Sequence, residues 1–143
     1  MVKQDFTTEI KAPVEKVFAF VTDFRNASKW QDSVIESTQT PDGPTQLGTV
    51  NKTVRTFVGQ RIEANIEVVE FVPNKKFGIK SSGGPIQFSL VQSFEQAGGG
   101  TKISSHVEME AGGVLKLAEG AIAGGLKKEF DSQTAKLKTL LES

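Results

Sequence analysis

Polar and apolar positions alternate through the first ten residues. Val2, Gln4, Phe6, Thr8 and Ile10 share one parity, with Lys3, Asp5 and Glu9 on the other, which predicts a strand with one covered face. Pro13 follows at a point where a first helical residue tolerates proline, since its missing N–H would be unpaired there anyway. From Pro13 to Asp23, Val14, Val17, Phe18 and Val21 recur at helical spacing, and a second short helix around residues 26–31 carries Trp30. A run of strands comes next, over 34–40, 48–57, 61–71, 77–82 and 86–96, with a last one in which Ile103, Ser105, Val107 and Met109 alternate. Turn-forming words separate them: Pro41-Asp42-Gly43-Pro44, Val58-Gly59-Gln60, Pro73-Asn74-Lys75, Gly83-Gly84-Pro85 and Gly98-Gly99-Gly100.

A turn at residues 58–60 pairs Arg55 with Glu63 and Val54 with Ala64, matching opposite charges on one face and apolar groups on the other. In that register Lys52 joins Val50, Val54 and Ile66 on the covered face. One strand, two short helices, about six more strands and a long helix is not a βαβ alternation. The order predicts an α+β fold: an antiparallel sheet of about seven strands with the last helix over its apolar face.

That helix is predicted over about 114–141. Its C-terminal half carries the stripe Leu126, Phe130, Leu137, Leu140 and Leu141; in its N-terminal half Val114, Leu117, Ala118, Ala121 and Ile122 centre about a quarter-turn away. A stripe that rotates predicts a bend, and Gly124-Gly125 lies between the halves. Gly120 and Gly125 fall near the centre of the first half's apolar face, beside Ala121. Each glycine inside a helix costs about 1 kcal/mol relative to alanine, so the cluster needs a reason. Two readings stay open: close packing of the helix backbone on the sheet, or space left for a ligand. The Gly120-x-x-x-Gly124 spacing also matches a membrane helix-dimer motif, but no long apolar segment surrounds it.

Composition narrows the function classes. The 143 residues are 37% hydrophobic and 24% charged, the profile of one globular domain spanning 1–143. Lys plus Arg equals Asp plus Glu at 17 each, which argues against an electrostatic grip on nucleic acid. There is no cysteine and one histidine, so disulfides and a Cys nucleophile are excluded and no metal or other cofactor is expected. No apolar run approaches the roughly 20 residues that span a bilayer, and the first residues lack a signal-peptide layout. A cytoplasmic protein without membrane insertion is the expectation. His106 shares parity with Ser104, Glu108 and Glu110, and so is expected to face outward, without a partner for a triad.

The words Ile10-Lys11-Ala12-Pro13-Val14-Glu15-Lys16-Val17-Phe18, Val21-Thr22-Asp23-Phe24 and Trp30 resemble the N-terminal signature of the polyketide cyclase/dehydrase family, within the START and pollen-allergen-like (SRPBCC) superfamily. The strand start at Gly48, the turn Glu70-Phe71-Val72-Pro73-Asn74-Lys75 and the long last helix also look like that family. The resemblance implies a helix-grip fold, with a curved sheet around the C-terminal helix and a hydrophobic cavity between them. Its members include carriers of lipids or hormones, cyclases, and proteins without an assigned reaction, so fold alone does not choose an activity.

A site in that cavity is expected from parity. Val54, Ile66, Phe88, Leu90 and Val107 would form apolar wall, with Leu117, Gly120, Ala121 and Gly125 opposite on the helix and Trp30 near the mouth. Gln92 and Ser105 are polar residues at inward positions, suited to orienting a ligand. Lys52, if buried, would have a lowered pKa and could hold a carboxylate or act as a base; its alternative is to extend to the sheet edge. The partner expected is a small hydrophobic molecule, lipid- or polyketide-like, held by a carrier or sensor. Alternatives are a cyclase or dehydrase using Lys52 or Ser105, or an accessory protein acting through its surface.

Overall fold

The alternating segments become one sheet in a computed structural model of the chain, which describes residues 2–31, 34–40, 43–57, 60–82, 86–111 and 119–142. The strands are β1 (Val2–Ile10), β2 (Val34–Thr40), β3 (Val50–Phe57), β4 (Gln60–Val72), β5 (Lys76–Ser82), β6 (Ile86–Ala97) and β7 (Gly100–Ala111). They pair antiparallel in the order β1-β7-β6-β5-β4-β3-β2. Consecutive strands are neighbours except at β1, which returns beside β7. The chain therefore leaves β1 at one edge and must reach β2 at the other. Helix α1 (Val14–Val21), a 3-10 turn (Phe24–Asn26) and helix α2 (Ala27–Trp30) make that passage. Pro13 stands just ahead of α1, one position earlier than expected, and the Thr22 hydroxyl donates to the Phe18 carbonyl at 2.8 Å to close the helix.

Curvature has local causes. The pairing shifts between Val34 and Glu36 and again between Val68 and Glu70, and bulges of this kind bend a strand and increase its twist. Gly78 lies opposite Glu70, where an added Cβ would come within 2.9 Å of the Glu70 Cβ, so the sheet closes tightly there only with glycine.

The long helix α3 (Glu119–Leu141) crosses the concave face and runs without interruption through Gly124-Gly125. Val114, Leu117 and Ala118 lie outside the described residues. Within α3, Ile122, Leu126, Leu137 and Leu141 are buried and Phe130 half-buried. At about 100° per residue these five positions share one continuous arc of about 100°. Among the described residues the buried positions of α3 thus form a single stripe; of the first stripe expected from the sequence only Ala121 and Ile122 are described, and Ile122 falls within this one. Ala121 and Leu140, assigned to stripes above, are exposed.

Contacts from β1 place the helix. Phe6 stacks on Phe130 with ring centroids 4.2 Å apart, Thr8 and Thr134 share a hydroxyl hydrogen bond of 2.9 Å, and Gln4 donates to the Ala123 carbonyl at 3.3 Å. Two apolar clusters result. The larger gathers α1 and the C-terminal end of α3 around Val17, Phe18, Phe77, Phe94, Leu137 and Leu141. The smaller joins Ile62, Val107, Ile122 and Leu126. Leu90 touches both.

Candidate functional site

Where the sheet curves away from the middle of α3, a cavity of about 130 Å³ lies between the two clusters. Inward positions of β4 to β7 supply much of its wall, including Ile62, Ile66, Leu90 and Val107. Leu126 and Phe130 close it from the helix side, and Phe24, Ala27 and Trp30 from the short helical passage. For scale, an engineered apolar cavity of about 150 Å³ admits benzene.

One side of the wall is polar, and β3 builds it. Phe57 pairs with Gln60, so Arg55 lies opposite Ile62, Thr53 opposite Ala64 and Asn51 opposite Ile66. The expected pairing of Arg55 with Glu63 and Val54 with Ala64 is off by one residue. A slip of one flips every side chain of a strand to the other face. Asn51, Thr53 and Arg55 consequently line the cavity, while Lys52 is exposed and is corrected from an inward base to a surface residue. Val54 is buried but on the parity opposite to the lining residues of β3.

Asn51 is 1% exposed. Its amide nitrogen donates to the Ser37 hydroxyl at 2.9 Å and to the Thr53 hydroxyl at 3.0 Å. Because the Ser37 hydroxyl itself donates to the Phe24 carbonyl at 3.2 Å, it must accept from Asn51, which fixes the amide's orientation. Among the described residues the Asn51 Oδ1 is left buried without a hydrogen-bond partner, and so is Nε1 of Trp30. Natively such groups are rare, since leaving one unpaired costs about 1–3 kcal/mol.

Arg55 and Glu129 complete the polar side. Their ion pair spans 3.5 Å, with side chains 24% and 14% exposed. Arg55 also donates to Gln31 Oε1 at 3.2 Å, and Gln133 donates to Glu129 at 3.2 Å. Burial pulls the Arg55 guanidinium below its ordinary pKa, and the Glu129 carboxylate works in the opposite direction. A guanidinium stays protonated under such a pull, so the pair remains ionic.

Among the other residues expected at the site, Trp30, Ile66, Phe88, Leu90, Gln92 and Val107 line the cavity. Ser105 is buried behind that wall and accepts from the Gln92 amide at 3.2 Å. Gly120 and Ala121 are exposed, and a Cβ at Gly120 or Gly124 would meet nothing within 4 Å. Those glycines therefore serve neither close packing nor ligand space among the described residues. Gly125 is half-buried and is not among the described lining residues, and Leu117 lies outside the described residues. Among the described residues the helix side of the cavity is the middle of α3, at Leu126, Glu129, Phe130 and Gln133, rather than Gly120 and Ala121. The sequence pattern does not single out Asn51, Thr53, Glu129 or Gln133, and it places Arg55 with Glu63 on the face away from the apolar one. Only the spacing of Glu129 and Gln133 from Leu126 and Phe130 on one helical face could have signalled the last two.

His106 lies on the outer face, between Asp5 at 2.7 Å and Glu108 at 3.0 Å, and is not among the described lining residues. Among the described residues no helix is long and apolar enough to cross a membrane.

The same architecture recurs in solved structures. A conserved protein from Geobacillus kaustophilus superposes with a TM-score of 0.80 at 18% identity, covering 99% of this chain and 95% of that one. A START superfamily protein from Mycobacterium smegmatis gives 0.80 at 14% identity, with 98% and 97% covered. Ara h 8.0201 gives 0.74 at 18% identity, with 99% and 97% covered. Identities this low speak for the fold alone. Among curated proteins none matches in sequence. A family model described as polyketide cyclase / dehydrase and lipid transport matches residues 1–142. Sheet, helix and sequence signature agree over the same span, and the chain belongs to the polyketide cyclase / dehydrase and lipid transport family.

Proposed function

We propose that the protein binds one small, mainly apolar molecule in the cavity between the sheet and α3, as a carrier or sensor. The observation that carries this reading is the pairing of an apolar wall with two buried polar atoms, on Trp30 and Asn51, that lack partners among the described residues. A site of a few placed polar groups on an apolar surface is what holding and orienting a small molecule requires. Binding without turnover fits the ionisable groups at hand. Among the described lining residues these are Arg55 and Glu129, and each is engaged by the other. A general acid or base needs a proton it can give or take near neutral pH, which a paired guanidinium does not offer. The cavity's size favours a compact ligand over a long-chain lipid.

The test is a filled cavity. Ala64 lines the space, and Ala64→Leu places additional carbons in it. Wild type is expected to bind toluene saturably in an NMR titration, and to release a co-purified small molecule in native mass spectrometry. The variant should do neither while unfolding at a similar urea concentration. Equal binding by a folded Ala64→Leu protein would place the ligand elsewhere and overturn the reading.

A further inference from the structure

We infer that the ligand is a neutral hydroxyl compound of about the size of phenol, whose hydroxyl donates to Asn51 Oδ1 and accepts from Trp30 Nε1–H. This rests on the reading of the cavity as a ligand site and specifies the chemistry of its occupant. Both side chains are more than nine-tenths buried, at 1% and 7% exposure, and both line the same small cavity. Their unpartnered atoms are complementary: one is an acceptor, the other a donor. A ligand carbonyl or ether would only accept, and would face Asn51 Oδ1 with a lone pair. An ammonium would only donate, and would face the indole N–H with a proton. A hydroxyl does both with a single oxygen.

Charge selects against an anion. Among the described lining residues Arg55 is the cation, and it is already held by the Glu129 carboxylate and the Gln31 carbonyl oxygen. A carboxylate entering beside that pair would meet Glu129, and would lose its hydration against a charge already balanced. Volume selects the body of the molecule. At about 130 Å³ the cavity is slightly smaller than the one of about 150 Å³ that accepts benzene, so one ring with its hydroxyl is the scale that fits. The ring would lie against Leu90, Val107, Leu126 and Phe130, on the side away from β3.

Trp30 is the chain's one tryptophan, so a ¹H–¹⁵N spectrum shows a single indole resonance to follow. Phenol, toluene and benzoate would each be titrated into the folded protein. Phenol is expected to bind at least about tenfold more tightly than toluene, because toluene leaves both polar atoms unpaired. Phenol should also move the Trp30 indole proton downfield, as a new acceptor does. In Asn51→Leu and in Trp30→Phe the preference for phenol should shrink, with toluene binding retained; two variants guard against one failing to fold. Toluene binding as tightly as phenol to wild type would overturn the hydroxyl assignment while leaving the cavity as an apolar site. Benzoate binding more tightly than phenol would overturn it in favour of an anion on Arg55. If no probe bound, the cavity reading itself would fall, and this inference with it.

Discussion

The ion pair between Arg55 and Glu129 offers a quantitative check on how the polar wall is built. At 3.5 Å and an effective dielectric of about 20, its Coulomb attraction is on the order of 5 kcal/mol. Much of that offsets the cost of taking both groups out of water, so the pair adds little net stability. Breaking it is different. Glu129→Leu leaves the guanidinium in the cavity wall with Gln31 as its remaining named acceptor. Removing one partner of a buried pair costs about 3–5 kcal/mol, and the residual exposure of 24% and 14% places this site at the low end. We expect a loss of about 3 kcal/mol, a fall in melting temperature of roughly 10 °C for a chain of this length. Arg55→Met should cost less, about 2 kcal/mol, because Glu129 keeps its bond from Gln133. The double variant Arg55→Met/Glu129→Leu should lose no more than about 2 kcal/mol, far short of the sum, since no unpaired charge remains. Urea unfolding followed by the fluorescence of Trp30 measures all four proteins, with unchanged m-values required for the comparison. Additive losses in the double variant would refute the coupling and with it the description of this wall as one charge-balanced unit.

Three further outcomes follow from the same structure. The His106 pKa is raised above its ordinary 6.5, first by the hydrogen bond to Asp5 and then by that to Glu108, against a smaller opposing effect of burial. Its contribution to stability is therefore complete below the unfolded value and is lost as pH rises through the folded one. The gap in urea midpoint between wild type and His106→Gln should be widest near pH 5 and narrow as pH rises beyond 6.5; a gap that widens with pH would reverse the assignment. Gly124→Ala should stabilise by about 1 kcal/mol, because it is a helix-interior glycine whose added Cβ meets nothing within 4 Å. Gly100→Ala should destabilise by about 2 kcal/mol or more, because its Cβ would stand 2.6 Å from the Ile10 carbonyl oxygen; thermal melts of the two variants shifting in the same direction would contradict this.

Much of the fold was legible because each strand's pattern and each turn word agree locally. Val2 to Ile10 alternates, and in the structure that parity is the covered one, down to the fully buried Ile10. The same holds for Phe88 to Phe94 and for Ile103 to Val107, so the wall they build could be named in advance. Strand β3 is where local pattern misled. Its apolar residues Val50 and Val54 share one parity, yet the structure turns Asn51, Thr53 and Arg55 inward. An inward row of polar residues contradicts the binary pattern, and such contradictions are expected where a protein serves a ligand rather than a core.

What the sequence determined by itself is the set of elements, their antiparallel order and the apolar half of the cavity, because these rest on periodicity within each segment. Tertiary structure alone decided the rest. Whether Lys52 or Asn51 faces the cavity depends on one residue of register between β3 and β4, which a plausible turn can shift without any local penalty. Whether Gly120 or Leu126 faces it depends on the rotation of α3, which Phe6, Thr8 and Gln4 set from another strand. Arg55 and Glu129 are 74 positions apart in the chain, and no spacing rule links them. The polar wall exists only once the sheet has curved around the helix, because the pairs that join it, Asn51 with Ser37 and Arg55 with Gln31 and Glu129, are contacts between different parts of the fold.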